Sequence, residues 1–142
     1  MISYEDSIVI AAPVSEVFSY ATDLRTMPDW IQGLVEVRDV IGTGEGQQCE
    51  WTFKMIGVLL RGQAVVVESV ENETATHQTI GMLAATWTNT FEPDEIGTKI
   101  TIGVEYTLPV PVLGRLAEHL TVRRMRRDLG SSLLNLKELL EG

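Results

Sequence analysis

The sequence predicts an α+β fold in which one curved, seven-stranded antiparallel sheet wraps around a long C-terminal helix. Apolar residues recur at helical spacing only near residue 20 and in the segment from residue 109 onward. Between these segments, six strand-like stretches follow one another at hairpin spacing. Such a sheet has one apolar face to cover, and the C-terminal helix is the element long enough to cover it. The predicted order is therefore β-α-α-β6-α, with an internal cavity where the curved sheet and the helix do not fill the space between them.

The first strand is predicted at Ile2–Ile10, where β-branched residues accumulate at the end. A helix follows, with Pro13 suited to its first turn and one apolar face made by Val14, Val17, Phe18 and Ala21. It must stop before Pro28, because the residue preceding a proline is pushed out of the α region. Asp29 can then cap a second short helix, Trp30–Gly33.

The central strands are predicted from alternation. Residues 48–55 place four apolar side chains on one face, namely Cys49, Trp51, Phe53 and Met55. The preceding "GTGEG" lies between two strands with no helix after it, so a hairpin turn is predicted rather than a phosphate-binding loop. If Phe91 faces inward, Trp87 and Asn89 do too, together with the next strand's Ile100, Ile102, Val104 and Tyr106. The stretch "ATHQTI" leaves open which face His77 occupies.

The C-terminal segment carries two apolar sets that point in different directions. One set is Leu113, Leu116, Ala117 and Leu120, and the other is Met125, Leu129, Leu133, Leu136 and Leu140. At 100° per residue the two sets are rotated by about half a turn. A kink or break is therefore predicted near Thr121, with Val112–Leu120 as a short helix or cover and a long helix from about Val122 to Leu140.

Composition narrows the class of protein. The 142 residues carry a net charge of −9, with 44% hydrophobic residues, which suits one globular domain spanning residues 1–142 and argues against nucleic-acid binding. No apolar run is long enough to span a membrane, and no signal peptide is evident. The single cysteine makes a cytoplasmic location the expectation. Metal and nucleotide motifs are absent, so neither a metal nor a cofactor is expected.

The stretch "RRMRR", Arg123–Arg127, is the one basic cluster in this acidic chain. It is consistent with a solvated helix face, and also with peripheral contact to an anionic membrane or an acidic partner. The sequence leaves the oligomeric state open, a homodimer included.

These residues carry a family resemblance. Three stretches resemble the START-like, helix-grip superfamily, in its polyketide cyclase/dehydrase-like (SRPBCC) branch, which is akin to Bet v 1-type ligand binders. They are "IVIAAPVSEVFSYATDLRTMPDW", the later "FEPDEIGTKITIGVEYTLP" and the ending "LLNLKELLE". The resemblance covers essentially the whole chain. It implies a hydrophobic cavity for a flat or lipid-like molecule and no obligatory metal or nucleotide.

Candidate site residues are the inward side chains around the predicted cavity. Those expected to contact a hydrophobic ligand are Trp30, Trp51, Phe53, Met55, Trp87, Phe91, Ile102, Val104, Leu116, Leu120, Met125 and Leu129. Candidate catalytic groups are Asn89, Tyr106 and His77, and His119 lies near the predicted cavity mouth. Each has a structural alternative: Asn89 as an amide satisfied by its neighbours, Tyr106 and Trp30 as core, and the histidines as surface or satisfied groups.

Three functions follow as hypotheses. The first is the binding of a lipid-, aromatic- or polyketide-like molecule in the cavity. The second is a cofactor-independent polyketide cyclase/dehydrase-type enzyme, in which a shaped cavity folds the polyketide substrate while a few polar groups move protons. The third is an accessory or membrane-recruitment module that acts through the Arg123–Arg127 cluster.

Overall fold

The computed structural model describes residues 2–107 and 118–142, and its elements follow the predicted order. The strands are β1 (Ile2–Ile10), β2 (Leu34–Ile41), β3 (Gln48–Met55), β4 (Val58–Val70), β5 (Thr74–Gly81), β6 (Ala84–Pro93) and β7 (Thr98–Thr107). Helix α1 (Val14–Thr22) and a 3₁₀ turn (Met27–Asp29) connect β1 to β2, and helix α2 (Glu118–Glu141) packs against the sheet.

The seven strands form one antiparallel sheet in the order β1-β7-β6-β5-β4-β3-β2. From β2 to β7 each strand pairs with the next along the chain, while β1 pairs with β7 at the far end. The connection through α1 therefore carries the chain from one edge of the sheet to the other. The predicted seven-stranded sheet is confirmed.

The core lies between the inner face of the sheet and α2. Strand alternation buries every second residue of β6 and β7, and α2 presents a matching apolar face of Met125, Leu129, Leu133 and Leu136. Burying each such large side chain stabilises the fold by roughly 1.5–3 kcal/mol. These contacts hold the helix across the concave side of the sheet.

Helix α2 is also fixed along β1 by hydrogen bonds. The hydroxyl of Tyr4 donates to the carbonyl of Met125 at 3.1 Å, and the ammonium of Lys137 donates to the carbonyl of Val9 at 2.9 Å. Because residue numbers rise together in the two elements, α2 runs in the same direction as β1. These bonds fix the rotation of the helix about its axis, and hence which side chains it presents to the sheet.

The second short helix lies earlier than the sequence predicts. The predicted helix at Trp30–Gly33 is wrong: the structure has a 3₁₀ turn at Met27–Asp29, followed by Trp30 as its C-cap. Pro28 occupies the first turn, where its fixed φ suits a helical start and no N–H donor is required. Helix α1 has already ended at Thr22, so Pro28 begins the 3₁₀ turn without ending the helix before it.

Of the kink or break predicted near Thr121, the break is wrong, because α2 runs without interruption through this residue. The long helix predicted from about Val122 to Leu140 is confirmed. Thr121 is fully buried and lies one turn before Met125, so it belongs to the core-facing side of the helix. A polar residue at that position concealed the continuity of the apolar face.

Leu120 consequently lies on the outer side of α2, where its side chain is 64% exposed. The prediction that Leu120 contacts a ligand in the cavity is therefore wrong. The rest of its predicted apolar set, Leu113, Leu116 and Ala117, lies outside the described residues, as does most of the predicted short helix Val112–Leu120.

Strand β2 pairs irregularly with β3. Its register shifts between Leu34 and Glu36 and again between Arg38 and Ile41, and Asp39 adopts a φ of +54°. Such shifts bend a strand and interrupt its ladder of hydrogen bonds. The edge formed by β2 is therefore less regular than the central strands.

A candidate ligand-binding cavity

A cavity of about 50 Å³ lies between the inner face of β3–β6 and residues 23–33, the connecting segment between α1 and β2. Its aromatic walls are Trp51, Phe53 and Trp87, and Leu24 and Ile31 contribute aliphatic walls from the connecting segment. One water molecule needs roughly 10–15 Å³ of such space, so the cavity has room for a few waters or a small apolar group.

The connecting segment is held against the sheet by a buried glutamine. Gln47 accepts a hydrogen bond from the amide N–H of Leu24 at 3.1 Å, and its own amide donates to the Asp23 carboxylate at 3.1 Å and to the Gly42 carbonyl at 3.2 Å. Gly42 begins the glycine-rich turn between β2 and β3, which is the hairpin turn that the sequence predicts. The network positions Leu24 as one wall of the cavity.

Trp51 reaches its place because a glycine lies opposite it. Gly62 is the register partner of Trp51 on β4, and a Cβ at residue 62 would lie 2.5 Å from the indole ring. The same Cβ would lie 2.1 Å from the carbonyl oxygen of Ile80. Only glycine therefore allows the indole to pack closely over this part of the sheet.

The structure resolves the orientation of His77, which the sequence left open. On β5 the inward residues are Ala75, His77 and Thr79, and the His77 side chain is only 6% exposed. Its ring stacks on that of its register partner Trp87, with 5.7 Å between centroids and 11° between planes. Burial lowers the pKa of His77 to about 4, so the imidazole is uncharged at neutral pH.

Two polar side chains, His77 and Trp51, lie on the cavity wall. The indole N–H of Trp51 is buried without a hydrogen-bond partner among the described residues. By contrast, the hydroxyl of Thr79 donates to the Leu83 carbonyl at 2.8 Å and accepts from the Ala85 N–H at 3.0 Å. An unpaired buried polar group costs about 1–3 kcal/mol, which a bound hydrogen-bonding molecule would relieve.

Asn89 and Tyr106 are buried in the core away from this wall. Asn89 is 2% exposed and its side-chain oxygen has no partner among the described atoms, and the same holds for the hydroxyl of Tyr106, a residue 1% exposed. The Tyr106 ring meets that of Tyr4 edge to face at 5.8 Å, and burial raises the pKa of its phenol. Of the three predicted catalytic groups, His77 alone lines the cavity.

The predicted ligand contacts fall into three groups. Trp51, Phe53 and Trp87 line the cavity, whereas the surrounding core holds Met55, Phe91, Ile102, Val104, Met125 and Leu129. Trp30 is 2% exposed and its carbonyl accepts a hydrogen bond from Asn135 on α2 at 3.2 Å, which supports a structural role for this residue. Leu120 is at the surface, and Leu116 and the side chain of His119 lie outside the described part of the chain.

Sequence reasoning missed the cavity wall contributed by the connecting segment, and it missed a close approach next to Phe53. A Cβ at Gly33 would lie 2.8 Å from the tip of the Phe53 ring, and Gly33 has a φ of +94°. The available signal was Gly33 itself, which follows the loop that contains Trp30, since a φ of +94° strongly favours glycine.

The chemistry of the remaining groups is limited. Burial raises the pKa of the Cys49 thiol to about 11, so this cavity-lining residue is not a thiolate nucleophile at neutral pH. Within residues 2–107 and 118–142, no group of three or more His, Cys, Asp or Glu side chains is arranged to hold a metal ion. In that same part of the chain, no helix has the length and apolar character needed to cross a membrane.

Comparison with known proteins agrees with this architecture. The protein TTHA0849 from Thermus thermophilus is 23% identical, with a TM-score of 0.79 over 96% of this chain and 94% of that one. CV1439 from Chromobacterium violaceum is 17% identical, with a TM-score of 0.76 over 100% and 99% of the two chains. The di-domain ARO/CYC protein BexL, from the BE-7585A biosynthetic pathway, is 17% identical, with a TM-score of 0.75 over 99% of this chain and 50% of BexL. At these identities the similarity establishes the fold alone.

No curated protein matches the chain in sequence. The family model described as polyketide cyclase/dehydrase and lipid transport matches residues 1–141, which is nearly the whole chain. Together with the curved sheet and its covering helix, this match shows that the protein belongs to the polyketide cyclase/dehydrase and lipid transport family.

Proposed function

We propose that the protein binds an apolar small molecule that carries a neutral hydrogen-bonding group, such as a ketone or a hydroxyl, and that this group lies in the cavity beside His77. The observation that supports this most is an apolar cavity whose wall includes the buried His77 imidazole and the buried indole N–H of Trp51, which has no partner among the described residues. Ligand pockets typically combine apolar walls with a few polar groups that orient the ligand.

The neutral state of His77 narrows the ligand class. An anionic group inside the cavity would lose its hydration and find no opposite charge, because the imidazole is uncharged at neutral pH. A carbonyl or hydroxyl oxygen has a much smaller desolvation cost, and it can accept a hydrogen bond from the imidazole or from the indole N–H of Trp51.

Acid–base catalysis is less well supported than binding. A pKa of about 4 means that roughly one His77 ring in a thousand is protonated at pH 7, and its neutral form is a weak base. A catalytic group for proton transfer works best when its pKa lies near the working pH. A cyclase/dehydrase reaction is therefore the alternative, to be tested by turnover once a ligand is identified.

Recruitment to an anionic membrane is a further candidate, supported by the arrangement of the basic cluster. At 100° per residue, Arg123, Arg124, Arg126 and Arg127 cover an arc of about 160° on the side of α2 opposite the buried Met125, and all four are exposed. Vesicles containing anionic lipid should then retain the protein at low salt and lose the Arg123→Gln/Arg127→Gln variant. Equal retention of the two proteins would reject this function.

The first test of the cavity is to identify what the protein carries. Native mass spectrometry of gently purified protein, followed by extraction, should reveal a bound apolar molecule.

A direct test then compares acetophenone with ethylbenzene, which have nearly the same size and shape but differ in the carbonyl group. We expect the wild-type protein to prefer acetophenone by about tenfold, the value of one net hydrogen bond.

The matched variant is His77→Phe, which keeps an aromatic ring next to Trp87 and removes the hydrogen-bonding atoms. This variant should bind both compounds with the same affinity, while ethylbenzene binding stays near the wild-type value. A wild-type protein that does not distinguish the two compounds, or a variant that keeps the preference, would reject His77 as the recognition group.

A further inference from the structure

A second concave site lies on the surface directly next to the cavity. It is a groove of about 380 Å³ between the tip of the β3–β4 hairpin, residues 32–33 before β2, and α2. Small-molecule sites typically enclose roughly 300–1,000 Å³, so the groove has the size to hold most of a ligand of which the 50 Å³ cavity holds one small end. We refer to it below as the hairpin groove.

Phe53 belongs to both spaces. Its side chain lines the interior cavity and also the hairpin groove, so the ring forms part of the wall between them. The ring tip rests against Gly33, whose carbonyl accepts a hydrogen bond from the amide N–H of Lys54 at 2.8 Å. The ring can adopt this position only because residue 33 has no Cβ, and Phe53 is the one described side chain that lines both spaces.

The hairpin groove is amphipathic and carries a net positive charge. Its apolar part includes Met55 and the turn residue Ile56, which is 40% exposed. Its charged part comprises Lys54 and Arg124, opposed by Asp128, which lies 3.8 Å from the Arg124 guanidinium. Lys54 makes no ion pair with any residue in the described ranges, so one positive charge is left uncompensated in a protein of net charge −9.

We propose that the hairpin groove is the entrance to the cavity and holds most of an apolar acid, with its carboxylate between Lys54 and Arg124, while only the small far end of the molecule passes Phe53 into the interior. This inference rests on the proposed function, since it assumes that the interior cavity receives that end of the ligand. It places the acidic group at the surface, where it stays partly hydrated beside opposite charges, and leaves the neutral imidazole to meet an uncharged group inside.

Charge recognition is tested with a fluorescent fatty acid, cis-parinaric acid, and its methyl ester. Arg124→Gln and Lys54→Gln should each weaken binding of the acid by about fivefold, as expected for one partly exposed ion pair, and leave the ester unchanged. Arg127→Gln is the matched control, because it removes the same charge from the same helix outside the groove. Equal affinity of Arg124→Gln and Arg127→Gln for the acid would overturn the carboxylate site.

The entrance is tested by stopped-flow kinetics with the methyl ester. Phe53→Leu should increase both the association and the dissociation rate by about tenfold or more, because a smaller side chain opens the wall. Phe91→Leu is the control, since Phe91 is also a buried aromatic residue but packs against Phe18 with 5.2 Å between ring centroids, away from the groove. Equal rates in the two variants would overturn Phe53 as the barrier.

The failure of this inference differs from a failure of the proposed function. If the ester binds to the wild-type protein but the groove variants behave like their controls, the entrance is elsewhere and the cavity remains a binding site. If neither the acid nor the ester binds, the entrance fails, and the comparison of acetophenone with ethylbenzene decides separately whether the cavity beside His77 binds a ligand.

Discussion

Because His77 is buried in its neutral form, we predict that the protein loses stability in mild acid. Its pKa is about 4 in the folded protein and about 6.5 when solvated, so between these values the unfolded chain binds a proton that the folded protein does not. The free energy of unfolding must therefore fall as the pH is lowered through this window and level off below pH 4. From these two pKa values, the contribution of His77 amounts to a loss of about 2 kcal/mol between pH 7 and pH 5, and about 3 kcal/mol by pH 4.

The assay is urea unfolding, followed by tryptophan fluorescence, of the wild-type protein and His77→Phe at several pH values from 7 to 4.5. Phenylalanine keeps a ring next to Trp87 and does not titrate. Both proteins keep His119 and every carboxylate, so the difference between their free energies of unfolding isolates His77. We expect this difference to change by about 2 kcal/mol in favour of the variant between pH 7 and pH 5. A difference that stays constant over this range would refute the conclusion that His77 is buried in its neutral form.

Three further predictions concern close contacts and turns. Gly62→Ala should destabilise the protein by about 2 kcal/mol or more, because the new Cβ would meet a backbone carbonyl at 2.1 Å, whereas Gly103→Ala, with its nearest atom at 3.9 Å, should be nearly neutral. Ile56→Asn should stabilise the hairpin by about 1 kcal/mol, since isoleucine is strained at a φ of +48°, and Ile56→Val should bring no gain. Ser132→Ala should cost about 1–2 kcal/mol, because its hydroxyl accepts a hydrogen bond at 2.8 Å from an N–H in the loop before β2, while Ser131→Ala on the same helix should have little effect. Chemical unfolding of each pair provides the measurement, and equal stabilities within any pair would contradict the corresponding contact.

The sheet could be predicted from the sequence because its strands alternate strongly. In β3, Trp51, Phe53 and Met55 define the buried face without ambiguity, and the structure buries all three. In β5, by contrast, polar and apolar residues occur on both faces, so the orientation of His77 depended on its pairing with Trp87 on the next strand. Such pairing is a tertiary property that a single strand does not contain.

The candidate site was less predictable than the fold. The apolar wall residues Trp51 and Trp87 follow from alternation, but the wall between the cavity and the hairpin groove depends on Gly33 approaching Phe53, two residues that are distant in sequence. Likewise, two apolar sets that point in different directions suggested a break near Thr121, but α2 continues through this residue, which is fully buried against the core. In both cases the observed structure depends on a contact between separate elements, which the sequence of either element alone does not show.

The irregular pairing of β2 also affects how copies of this protein meet one another. An edge strand with a regular row of free N–H and C=O groups acts as a template on which another chain can add a strand and start an aggregate. Along β2, the two register shifts and the left-handed Asp39 disturb that row, and the charged Glu36 and Arg38 lie next to the exposed Val35. A second molecule would therefore find few consecutive hydrogen-bonding groups in register, and growth of the sheet from one copy into the next is disfavoured at this edge.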